Sequence, residues 1–113
     1  MKLRIITLMI LAAVATLTTA PANAVYNANM AGVLTDLYIY ADSDSVYFRL
    51  SNQPTTHPGC SPAYFVLTGV PEARLNRLVA RLMEAKATEE VLNIGYDSSG
   101  DCAEGYIRAH RIG

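Results

Sequence analysis

The chain has 113 residues, 51% of them apolar, with nine basic and ten acidic side chains and two cysteines. One compact domain usually takes ~100–200 residues, so the length excludes a multidomain enzyme, and the near-neutral charge excludes a strongly basic nucleic-acid binder. Two cysteines allow at most one internal bridge, which excludes a multi-disulfide scaffold.

The amino-terminal end differs in kind from the rest. Lys2 and Arg4 precede the apolar run Ile5 to Leu17; Thr18, Thr19 and Pro21 break it, and Ala22-Asn23-Ala24 supplies a small-x-small cleavage site. This is the layout of a secretory signal peptide. The run is shorter than the ~20 residues that cross a bilayer, which argues against a stable membrane anchor. The expectation is a signal peptide over residues 1–24 and one exported domain over residues 25–113, periplasmic or extracellular. Losing 24 of 113 residues leaves 89, of which 42 (47%) are apolar, with seven basic against ten acidic, net −3. Such a balance attracts neither nucleic acid nor anionic lipid, both of which need clustered Lys and Arg.

In an oxidising compartment, Cys60 and Cys102 are expected to pair. Closing a loop of that length stabilises by ~4 kcal/mol on the chain-entropy model. No C-x-x-C spacing points to a redox or metal site.

In chain order, Gly32–Tyr40 reads as a strand, with Val33, Thr35, Leu37 and Ile39 on one face and Leu34, Asp36, Tyr38 and Tyr40 on the other. Residues 25–31 have weak periodicity and are expected to be a flexible start. Turn chemistry over Ala41–Ser45 leads into Val46–Leu50, whose Val46, Phe48 and Leu50 alternate with Tyr47 and Arg49; the two strands form a β-hairpin. Residues 51–62 are a proline-rich loop, followed by a strand over Ala63–Thr68. Pro71 suits the first turn of a helix, and Leu75, Leu78, Val79, Leu82 and Met83 make one apolar stripe over about Pro71 to Ala87. Strands Val91–Tyr96 and Gly105–Ile112 close the chain, separated by the turn Asp97–Asp101.

The order β-β-β-α-β-β predicts a mainly β fold, a five-stranded OB-type barrel with the helix plugging one end. A less specific α+β sheet with one helix on a face also fits.

In this order of elements, in His57-Pro58-Gly59-Cys60 before the third strand, and in the passage Leu78–Ile94 followed by Gly100-Asp101-Cys102, the chain resembles small exported bacterial proteins similar to the B subunit of subtilase cytotoxin. The resemblance implies an OB-type barrel and a family whose toxin members form ring-shaped pentamers that bind glycans. This chain is shorter than the toxin subunit, and no sugar-contacting residue is carried over from it.

Among candidate functional residues the tyrosines lead. Tyr47 and Arg49 project outward from the second strand, and Tyr38 and Tyr40 alternate away from Leu37 and Ile39 on its neighbour. Aromatic and arginine side chains dominate binding hot spots, so Tyr38, Tyr40, Tyr47 and Arg49 are the expected ligand-binding set. Tyrosines also commonly cover a sheet through cross-strand pairs or pack in a subunit interface.

His57 and His110 lie on separate elements and lack the further ligands a metal site needs. Asp42-x-Asp44 and Asp97–Asp101 superficially resemble calcium loops but lack the full ligand series, so they read as turns. Arg74, Arg77 and Arg81 read as a solvated helix face paired with Glu84, or as a basic stripe for an acidic partner. No catalytic motif occurs and no cofactor is expected. The sequence therefore predicts an exported, non-enzymatic binding domain, with a glycan or a protein as partner and a homo-oligomer as one form. The alternative is a periplasmic interaction module or inhibitor.

Overall fold

Six strands and one helix make up the computed structural model, which describes residues 26–113. The expected signal peptide, residues 1–24, lies outside the described residues.

β1 (Ala28–Ile39) begins four residues before the expected strand, so most of the expected flexible start is ordered into it. Its first half, Ala28–Val33, pairs antiparallel with β4 (Val91–Tyr96), and its second half pairs with β2 (Val46–Leu50). A β-bulge between Leu34 and Asp36 divides the halves. One extra residue shifts the pleat by one, so inward positions run Gly32 and Leu34 before the bulge and Leu37 after it. This corrects the uniform two-face assignment: Leu34 belongs to the core, and Val33 and Ile39 do not.

β2 pairs with β3 (Ser61–Leu67), and β3 runs parallel to β6 (Tyr106–Ile112), which returns antiparallel to β4. The circuit β1-β2-β3-β6-β4-β1 is closed, giving an OB-type barrel with the helix between β3 and β4. Closure removes the unpaired edges that an open sheet would expose.

A further short strand, β5 (Cys102–Ala103), was not expected from the sequence. It makes a tight hairpin with β6 through Glu104 (φ 53°) and Gly105 (φ 82°). Two successive left-handed residues are what a type I′ turn requires.

The core is apolar and continuous. Phe48 and Phe65 stack with centroids 5.5 Å apart, and Leu50, Leu67, Leu92, Ile94 and Ile107 are fully buried around them. α1 (Glu72–Thr88) buries Leu82 and Ala85 against the barrel, with Leu75, Leu78 and Val79 half-buried beside them. Met83, expected on this stripe, is 58% exposed. At ~100° per residue it falls past the edge of the stripe centred on Leu78 and Leu82, and Ala85 takes the inward place. The helix ends on Glu89 in a left-handed conformation, its N–H returning to the Ala85 carbonyl. No helix among the described residues is long and apolar enough to cross a membrane.

Cys60 and Cys102 form the expected disulfide, with Cα atoms 5.5 Å apart. It ties the loop before β3 to β5.

Candidate functional site

The outer face of β1, β2, β3 and β6 carries a connected group of tyrosines. Tyr38 and Tyr47 are register partners across β1 and β2. Tyr47 is the hub: its ring meets Tyr40 edge-on at 5.6 Å, Tyr64 at 6.3 Å and Tyr106 at 5.9 Å. Tyr64 in turn meets Tyr106 at 5.3 Å and Tyr38 at 5.9 Å, again edge to face. Such T-shaped pairs contribute ~0.5–1.5 kcal/mol each beyond their burial, so the rings brace one another.

Beneath them Val66 points outward yet is fully buried, between its register partners Tyr47 and Arg108. The tyrosines thus form a second apolar layer outside the barrel. At its margin Tyr38 and Tyr40 are 41% and 52% exposed.

Arg49 lies over the Tyr64 ring at 5.5 Å, a cation–π distance, while its Nε faces Asp36 at 4.0 Å. Asp36 also accepts a bond from the Tyr38 hydroxyl at 3.5 Å. The Asp36 carboxylate, with burial adding to it, raises the pKa of Tyr38 above its ordinary value. Burial, then the Glu104 carboxylate and the neighbouring Tyr106 and Tyr40, does the same for Tyr47. Both phenols therefore keep their O–H at neutral pH. Each presents an apolar ring face with a hydroxyl that can donate and accept.

The structure brings together all four sequence candidates, Tyr38, Tyr40, Tyr47 and Arg49, and adds Tyr64 and Tyr106. Those two lie on strands that the sequence predicts, but the sequence reading does not place them on this face. Nothing local showed that β3 and β6 would lie side by side, because their parallel pairing joins segments separated by the whole helix.

The remaining candidates lie elsewhere. His57 Nδ1 accepts from the backbone amides of Gly59 and Cys60, and its Nε2 meets the Asp97 carbonyl, so the ring braces loops next to the disulfide. Asp97 Oδ1 accepts from the Ser99 amide and hydroxyl, both at 2.8 Å, and from the Gly100 amide at 3.3 Å. Its oxygen is committed to the turn, and these bonds lower its pKa. Asp101 is held by Arg108 at 3.0 Å and by His110, whose ring stacks on Tyr26. Among the described residues no group of three or more His, Cys, Asp or Glu is placed to hold a metal ion. Arg74, Arg77 and Arg81 border a separate cleft between α1 and β6, whose lining includes no tyrosine.

Comparison with known proteins gave no family model that matches the chain, and no significant match among curated proteins or solved structures. The closed OB-type barrel is established by the strand circuit itself, and it is a scaffold suited to binding.

Proposed function

We propose that the chain is an exported, non-enzymatic binding domain whose contact surface is the tyrosine face, and that its ligand is a glycan. The observation behind this reading is the braced set of five tyrosines. It lies over β2 and β3, the face that OB-type barrels use for oligosaccharides and oligonucleotides. An oligonucleotide fits poorly, because the two arginines of this outer face are already engaged, Arg49 by Asp36 and Arg108 by Asp101. A sugar fits better: its C–H faces can lie on phenol rings while its hydroxyls meet the Tyr38 and Tyr47 O–H groups. The sequence resemblance to the subtilase cytotoxin B subunit points the same way, though it rests largely on the same order of elements.

The test is a glycan-array screen of the oxidised protein over residues 25–113, beside Tyr47→Ala. Specific binding lost in the variant supports the proposal. Binding to no glycan, or binding indifferent to Tyr47, rejects it.

A protein partner is the second reading, favoured by the exposed rings of Tyr38 and Tyr40 beside Arg49, a hot-spot composition. A specific partner recovered from culture supernatant and lost with Tyr47→Ala would decide for it. Light scattering separates a ring from a single subunit, at ~50 kDa against ~10 kDa.

A further inference from the structure

Four of the seven Lys and Arg residues in the described chain line one cleft: Arg74, Arg77 and Arg81 of α1, and Arg108 of β6. His110 completes its polar lining, and no Asp or Glu lines it. The cleft has a volume of about 650 Å³, within the ~300–1,000 Å³ usual for small-molecule sites. In a chain of net charge −1, this is a local reversal of sign.

The arrangement follows from helix geometry. Positions 74, 77 and 81 share one flank of α1, next to the stripe that packs on the barrel rather than opposite it. The arginines therefore border the seam between helix and β6, with Arg74 and Arg77 still exposed. Leu78 and Ile112 supply apolar wall in the same cleft.

The four guanidinium groups are not equivalent. Arg81 is paired with Glu90 and lies 4.0 Å from Glu84. Arg108 is held by Asp101 at 3.0 Å and donates to the Thr68 and Cys102 carbonyls. These two are positioned and largely neutralised. Arg74 and Arg77 have no carboxylate within 4.0 Å among the described residues. Two uncompensated guanidiniums at the mouth of a partly apolar cleft match an oxyanion, which arginine binds through paired N–H donors.

We propose that the cleft between α1 and β6 binds a small organic anion, a carboxylate or phosphate carried on an apolar body, with Arg74 and Arg77 holding the head group. Leu78 and Ile112 would receive the apolar part. This site is separate from the tyrosine face and independent of its ligand.

The probe is 8-anilinonaphthalene-1-sulfonate, an oxyanion on an apolar body, read by fluorescence titration of the oxidised protein. N-phenyl-1-naphthylamine, the same body without the sulfonate, is the control. Expected are saturable binding of one probe per chain and at least tenfold weaker binding of the uncharged control. Arg74→Ala/Arg77→Ala should weaken the anionic probe at least tenfold, and Arg74→Lys/Arg77→Lys less, because charge is kept and the fork lost. Both arginines are exposed, so the variants should retain the thermal transition of the parent. Tyr47→Ala should leave the affinity unchanged. Displacement by dodecanoate or by dodecyl phosphate then tells which head group is preferred. Equal binding of both probes, binding of neither, or an affinity that survives loss of both arginines would overturn the proposal.

Discussion

His57 Nε2 donates to the Asp97 carbonyl oxygen at 2.8 Å, joining two loops 40 residues apart in the chain. Its Nδ1 accepts from the Gly59 and Cys60 amides at 3.1 and 3.0 Å, which assigns the proton to Nε2. One side chain thus satisfies three backbone groups beside the disulfide. His57→Ala leaves the part-buried Cys60 amide without that acceptor. We predict a loss of ~1–3 kcal/mol, read as a lower urea midpoint at unchanged slope. A midpoint equal to the parent's would show the bonds to be replaced by water at no cost.

The disulfide closes a loop with a sequence separation of 42. Cys60→Ala/Cys102→Ala should lower stability by ~2–4 kcal/mol, chiefly by freeing the unfolded chain. The His57 clasp spans the same two loops, so the two losses should not add. A triple variant that equals the sum of its parts, within ~0.5 kcal/mol, would refute that coupling.

Tyr47 titrates late because burial and the Glu104 carboxylate oppose its phenolate. Its folded pKa is above the unfolded value. It therefore has no effect on stability well below pH 10, and folding loses stability as the pH rises through that value. Absorbance titration at about 295 nm should show a component ionising above free tyrosine. Tyr38 also titrates late, so Tyr47→Phe should reduce this component rather than abolish it, and a curve unchanged by that variant would count against the assignment.

Asp97 behaves in the opposite sense. Hydrogen bonds from Ser99 and Gly100 hold its carboxyl below the ordinary 3.8. The stability it contributes is present above the unfolded value and is lost as the pH falls through the folded one. Asp97→Asn keeps an acceptor for the turn but removes the titration. Its stability profile should be flatter than the parent's below about pH 4. Parallel acid limbs for the two proteins would place the titration elsewhere.

Much of the barrel is readable from residue order. Alternation in Val46–Leu50 and Val91–Tyr96 is a local property, as is the heptad-like spacing of Leu75, Leu78 and Leu82, and the structure holds all three elements at those positions. The disulfide was likewise legible, because two cysteines in a small chain have one pairing to choose. The bulge in β1 was not. It arises because one strand must bend to pair with β4 and then β2, a demand made by partners remote in sequence. The Glu104-Gly105 turn is a weak local signal, and β5 exists only because β6 lies alongside to pair with it.

Composition and spacing by themselves determined a small, mainly β domain with one helix, one bridge and outward tyrosines on its first hairpin. Only the tertiary structure decided what those outward residues do together. Closure between β3 and β6 adds Tyr64 and Tyr106 to the hairpin's tyrosines, turning separate rings into one face. Docking of α1 beside β6 gathers three helix arginines and Arg108 around one cleft. The sequence shows the helix arginines as a solvated face paired with Glu84 or a basic stripe, but not the cleft or Arg108's place in it. Both outcomes depend on long-range packing, which local periodicity does not encode.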